Sequence, residues 1–124
     1  MKVEFCGCYV NGISDLSEFH PEDPEEVVLD LLLKVCVDKG SETFVLRVCT
    51  PKWLRNNLDR DELRSGQYHL IIDRFDYRRL IEFLESYCAG VRGENWEEVL
   101  RQLNRLAHWI DEFPDDPGHH MSLN

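Results

Sequence analysis

Five cysteines and a histidine raise the first chemical question. Cys6 and Cys8 sit two apart in the alternating run KVEFCGCYV, so both project from one face of a strand, and Cys36, Cys49 and His69 occupy outward positions of later strands. Thiolates and imidazole are the preferred ligands of zinc, so these five residues form one candidate metal set. A CxC pair on one strand is not a zinc-ribbon spacing, however. An odd number of cysteines without a secreted-scaffold pattern reads as reduced, half-buried thiols, so neither a metal nor a cofactor is assigned.

Nucleophilic catalysis would need a Ser or Cys on a sharp glycine-flanked turn with a histidine partner, and no GxSxG elbow occurs. Cys49 precedes Thr50-Pro51 at a helix start, where a helix dipole lowers a thiol pKa, but its strand-terminal place favours packing. The carboxylate pairs Glu97-Glu98, Asp111-Glu112 and Asp115-Asp116 read as solvated charges, and no glycine-rich phosphate loop is present. Arg74, Arg78 and Arg79 cluster, yet Asp73, Asp76 and Glu82 are interleaved with them, which predicts a salt-bridged helix start. His119-His120 is read as a chance pair in a tail. These patterns predict that the protein is not an enzyme.

The elements that position these residues turn on FVLRVCTPKWL, residues 44–54. Phe44, Leu46 and Val48 alternate as in a half-buried strand; Thr50 then supplies an N-cap, Pro51 the first helical position and Trp53 core bulk. Upstream, Val27 to Val37 also alternates, despite a helix-like Asp23-Pro24-Glu25-Glu26 lead-in. A hairpin centred on Lys39-Gly40 would pair 35 with 44, 33 with 46 and 31 with 48, setting Asp30 near Cys49 and diagonal to Arg47. Residues 2–10 form a first strand with Val3, Phe5 and Tyr9 on one side and Glu4, Cys6 and Cys8 on the other. A long connection with one helical turn at 14–19 follows it.

After a helix at 50–58 and a polar loop, residues 67–75 read as a fourth strand. Asp76 caps a helix closed by Gly90, with Gly93 in the turn. Asn95 and Glu98 open a last helix, whose stripe is Trp96, Val99, Leu100, Leu103, Leu106, Ala107, Ile110 and Phe113, stopped by Pro114 and Pro117. The expected fold is α+β and two-layered, in the order β-β-β-α-β-α-α. It has a mainly antiparallel four-stranded sheet with two C-terminal helices packed on one face. Residues 1–113 form a single domain and 114–124 a flexible tail.

At 124 residues one core of about 14 Å radius of gyration suffices. Twenty-four acids against fourteen bases give a net charge of −10 and a pI near 4.8, which argues against nucleic acid as a partner and for a basic one. No leader-like or membrane-length apolar run is seen, which reads as cytoplasmic with no membrane partner.

CTPKWL followed by YHLIIDRFD, together with the PEDPEE lead-in, resembles the immunity protein 8 family of bacterial polymorphic toxin systems, over residues 4–84. The resemblance implies an α+β immunity protein that binds a cognate toxin domain one to one and blocks it without turnover, and it brings no catalytic residues. Many such toxins are nucleases with basic grooves, which suits an acidic inhibitor. The candidate toxin contacts are therefore Glu22, Asp23, Glu25 and Glu26, the loop acids Asp59, Asp61 and Glu62, and the outward pair Asp30 and Arg47. The alternative is a metal- or anion-binding regulatory module, dimeric through the open sheet face; oligomeric state is not fixed by the sequence.

Overall fold

Residues 1–110 are described by a computed structural model of the chain, so the tail and the expected helix end at Phe113 lie outside the described residues. In chain order the elements are β1 (Val3–Tyr9), a 3-10 turn (Leu16–Glu18), β2 (Val28–Val37), β3 (Gly40–Cys49), α1 (Pro51–Asn57), β4 (His69–Ile71), α2 (Tyr77–Ala89), α3 (Trp96–Leu103) and β5 (His108–Ile110). The sheet runs β1-β2-β3, with β4 parallel and β5 antiparallel sharing the far edge of β3. The fold is α+β, as expected, with its sheet open and mainly antiparallel.

Alternation in β2 and β3 decides the architecture. Leu29, Leu31, Leu33, Val35, Phe44, Leu46 and Val48 are buried on one face, and α2 and α3 close it with Leu80, Leu84, Cys88, Val99 and Leu103. Each fully buried side chain of this kind contributes roughly 1.5–3 kcal/mol. The helices start where local chemistry dictates: Asp76 accepts from the Arg79 N–H at 3.2 Å and Asn95 from the Glu98 N–H at 2.9 Å.

Several expectations need correction. The hairpin pairs Val35 with Glu42, Leu33 with Phe44 and Leu31 with Leu46, two positions away from the expected register. The cause is a two-residue turn at Asp38-Lys39. Asp38 adopts φ 52° and is tied to β1, donating its N–H to the Lys2 carbonyl at 3.0 Å and accepting the Lys2 N–H at 2.9 Å. A slip of two preserves both faces, so the core is unaffected.

In β1 a bulge falls between Phe5 and Gly7, and Gly7 takes φ 137°, a region glycine enters without a Cβ clash. The extra residue reverses the alternation beyond it. Cys8 and Val10 therefore join the core side with Val3 and Phe5, while Tyr9 is exposed, and Cys6 and Cys8 do not share a face.

The fourth strand is only three residues long and parallel to β3, because the chain turns at Asp73-Arg74 towards the α2 cap. Phe75 is buried there against Phe19, ring centroids 5.5 Å apart. The last helix ends at Leu103. Its stripe from Leu106 to Ile110 belongs to a turn and to β5, a fifth strand whose Trp109 lies opposite Phe44 and donates its indole N–H to Glu42 at 2.8 Å.

Candidate interaction surface

The outer sheet face is where the nominated residues gather. It carries Asp30, Leu32 and Lys34 from β2 and Val45, Arg47 and Cys49 from β3, opposite the face that holds α2 and α3. Asp30 and Arg47 are direct cross-strand partners. Arg47 grips the carboxylate with two hydrogen bonds, Nε to Oδ1 at 2.8 Å and Nη2 to Oδ2 at 3.2 Å, the fork geometry that guanidinium favours.

Thr50 fixes what lies at the end of this face. It is fully buried; its hydroxyl oxygen accepts the Trp53 N–H at 3.3 Å, capping α1, and the Val27 N–H at 3.1 Å, carrying the sheet one step beyond β2. One side chain thus ties the acidic 22–26 turn to the start of α1.

Positions four apart on a helix share a side, and α1 uses two such rows. Lys52 and Asn56 face the first acidic segment, with Lys52 on Asp23 at 2.7 Å and Asn56 on Glu26 at 3.1 Å. Trp53 and Asn57 face the second. Arg64 reaches the Asn57 carbonyl at 3.3 Å and the Glu62 carboxylate at 3.0 Å, and Glu62 also accepts the Asp59 N–H at 2.9 Å. The guanidiniums of Arg47 and Arg64 lie 5.7 and 5.9 Å from the Trp53 ring centroid.

Trp53 is thus half-buried between arginines instead of being a core residue, and α1 buries none of its residues fully. The short helix is the hub connecting the 22–26 acids, the 59–62 acids and the Asp30–Arg47 pair, none of which are neighbours in sequence.

The nominated carboxylates divide into two groups. Asp23, Glu26, Asp30 and Glu62 are already engaged, Glu26 by Asn56 and Asp30 by Arg47; a hydrogen bond from Lys52 lowers the Asp23 pKa, and the Asp59 N–H, then Arg64, lowers that of Glu62. Glu22, Glu25, Asp59 and Asp61 have no side-chain hydrogen bond or ion pair among the described residues, so their charge faces solvent undiminished.

Three features of this surface were not legible in the sequence. Leu63, between Glu62 and Arg64, is 97% exposed. Tyr68 takes φ 61°, a strained conformation for a bulky residue, and its ring lies 5.3 Å from that of His108. With Asp30, Val45, Arg47 and His69 these two rings line an open groove of about 400 Å³ on the outer face. No residue pattern announces them, since Tyr68 stands where a glycine would be the usual signal.

The thiols are arranged differently from the expected set. Cys6 and Cys36 form a disulfide between β1 and β2, Cys49 is fully buried and Cys88 nearly so, and Cys8 packs against the core. Burial raises the Cys49 pKa despite Arg47 and Arg64 nearby, so a dipole-activated thiol is not what the helix start produces. His69 Nδ1 lies 2.9 Å from the Gln67 carbonyl oxygen. Among the described residues no three His, Cys, Asp or Glu side chains come together to hold a metal. Arg78 pairs with Glu82 and Arg79 with Asp73, each at 3.0 Å, as the interleaved charges predict.

The family model described as immunity protein 8 matches residues 3–115. The chain belongs to this family. No characterised protein and no solved structure compared with the chain matches it. The match extends the likeness from residues 4–84 through α3 and β5, so the immunity-protein domain includes the strand that completes the sheet. Among the described residues no helix is long and apolar enough to cross a membrane.

Proposed function

We propose that this immunity protein neutralises its cognate toxin domain by direct one-to-one binding, through the surface organised by α1, in the cytoplasm and without turnover. The observation that carries this reading is the convergence on one short helix of two acidic segments, an exposed leucine and an open groove. A fully exposed apolar side chain next in the chain to an arginine that lies over a half-buried Trp has the anatomy of an interface centre with a charged rim. Isolated exposed leucines are ordinary on protein surfaces. The weight here rests on Leu63 adjoining the arginine-flanked Trp53 through Arg64.

The free carboxylates Glu22, Glu25, Asp59 and Asp61 supply the steering field, with Glu26 beside them. Asp23, Glu62 and the Asp30–Arg47 pair hold the surface in shape and lie within reach of the partner. Such a field suits a basic toxin, of which a nuclease with a positive substrate groove is the leading class. The Cys6–Cys36 bridge lies six residues, about 20 Å, along β2 from Asp30, so the surface does not depend on it in a reducing compartment.

Co-expression with the toxin domain encoded beside the gene is the first test. Growth rescue and a complex that survives gel filtration are expected; neither occurring would sink the reading for that pair. Two variants then place the contact. Reversing Glu22, Glu25, Asp59 and Asp61 to Lys should slow association at least tenfold and flatten its salt dependence. Leu63→Ser should speed dissociation while leaving the melting temperature unchanged. If both variants bind like the parent protein, the contact lies elsewhere.

A further inference from the structure

The end of the molecule away from α1 gathers three arginines. The N-terminal amine donates to the Gly93 carbonyl at 3.0 Å and Lys2 is bonded to Asp38, so the loop between α2 and α3 sits by the β2–β3 turn. The acidic segments flank the other end of β2, and its ten residues separate the two ends by about 30 Å.

Arg92 of that loop, Arg101 of α3 and Arg105 just past it line a concavity of about 330 Å³ together with Gln102 and Glu98. The backbone around it is fixed. The Gln102 side chain accepts the Arg92 N–H at 3.0 Å and donates to the carbonyls of Arg92 and Glu98, and the Tyr87 hydroxyl donates to the Gln102 carbonyl at 2.7 Å.

These three arginines share one concavity, and like Arg55, Arg60 and Arg74 they have no carboxylate within 3.0 Å among the described residues. Six basic side chains elsewhere are held by a carboxylate at 3.0 Å or closer. Arg101 comes no nearer than 4.0 Å to Glu97, and Arg105 has no side-chain partner among the described residues. Arg92 donates to the Ala89 and Val91 carbonyls through one Nη alone, leaving Nε and the other Nη. Glu98, the carboxylate of the concavity, receives the Glu94 N–H at 2.8 Å. Helix-end dipoles favour Arg92 behind α2 and Arg101 in the last turn of α3. They do not require Arg105, which lies past the helix, four residues after Arg101, where like charges repel.

We propose that this Arg92–Arg101–Arg105 concavity binds a small dianionic oxyanion of the phosphate monoester or diphosphate class. Guanidinium forks match phosphate oxygens, and three of them against one engaged carboxylate suit more than a single negative charge. The net charge of −10 repels a long polyanion, which favours a small ligand over nucleic acid. This site is independent of the toxin-binding surface, so either reading can fail without the other.

The test uses the full chain without a tag, in chloride buffers of matched ionic strength. Inorganic phosphate and pyrophosphate should each raise the melting temperature, by about 5 °C at ten times the dissociation constant, with pyrophosphate acting at the lower concentration. Arg101→Gln with Arg105→Gln should abolish the rise and keep the parent circular dichroism spectrum, since both side chains are exposed. Arg105→Lys should retain a weaker response. The proposal is overturned by no rise in the parent protein or by an equal rise in the double variant. It is equally overturned if a short single-stranded oligonucleotide binds where phosphate and pyrophosphate do not, or if the glutamine variants lower the basal melting temperature and phosphate has no effect, the signature of helix capping alone.

Discussion

Arg47 stands directly across from Asp30 in the β2–β3 ladder and holds both its carboxylate oxygens, while the same guanidinium lies over the Trp53 ring. The pair is exposed, with side-chain accessibilities of 37% and 61%, so its worth to the fold is at most about 1 kcal/mol. Its geometric role is larger, because it sets the pose of Trp53 and one wall of the groove. Arg47→Met is therefore expected to shift the melting temperature by a few degrees at most, yet to weaken toxin binding tenfold or more. Asp30→Asn should do the same, and the double variant should lose less than the two single losses combined, as for coupled residues. Full additivity in surface plasmon resonance would show that the pair does not act as a unit.

Thr50 separates fold from function differently. Its hydroxyl serves two N–H groups at once, the half-buried one of Trp53 and the buried one of Val27. Thr50→Val keeps the shape and orphans both, which should cost about 2–4 kcal/mol: a lost cap plus an unsatisfied buried donor. Thr50→Ser keeps the oxygen and should cost under about 1.5 kcal/mol. Urea denaturation measures both. Equal losses in the two variants would mean that the methyl group, not the hydroxyl, holds the junction.

What the sequence disclosed follows from how local each cause is. Alternation in residues 27–37 and 44–49 and the caps at Thr50, Asp76 and Asn95 depend on neighbours within four positions, and all lie where expected. The hairpin register depended on Asp38 contacting Lys2, 36 residues away, and slipped by two. Leu106, Ala107 and Ile110 continue a helical spacing by coincidence. With Asn104 ending α3, a three-residue strand is too short for alternation to reveal it. At the candidate surface the charged residues were legible as charges. Their division into engaged and free carboxylates was not, because Lys52, Asn56 and Arg64 meet them only in the folded chain.

Tyr68 is the clearest case of local strain at the surface. Its φ of 61° is unfavourable for a residue with a Cβ, by about 1–2 kcal/mol, and it persists where the Tyr68 carbonyl oxygen accepts the Arg47 N–H at 2.9 Å and the ring lines the groove. Tyr68→Gly relieves the strain and removes the wall. Thermal stability should hold or rise by a degree or two, while affinity for the toxin falls at least fivefold. A variant both less stable and fully active would mean that the ring serves packing instead of recognition.

Stability should decline at both ends of the pH range for different reasons. Asp23, Glu62 and Asp73 have lowered pKa values, through the hydrogen bonds from Lys52, from the Asp59 N–H and from Arg79 respectively. A carboxyl whose folded pKa lies below its unfolded one stabilises the fold above the unfolded value, here 3.8 or 4.5, and loses that effect as pH falls through the folded value. Asp73 is exposed and Asp23 and Glu62 are only half-buried, so the acid limb should be shallow, and Asp23→Asn should make it shallower still. The alkaline limb should be steeper. Burial pushes the Cys88 thiol up from 9.0 to about 11, so the folded chain keeps it protonated where the unfolded chain ionises. Its stabilisation is intact below pH 9 and is lost as pH rises towards 11, by roughly 2–3 kcal/mol in all. Cys88→Ala leaves a cavity and starts less stable, so slopes and not absolute values are the comparison. Urea midpoints taken between pH 8 and 11 should fall less steeply for the variant than for the parent protein, and parallel slopes would show that Cys88 ionises no differently in the folded chain.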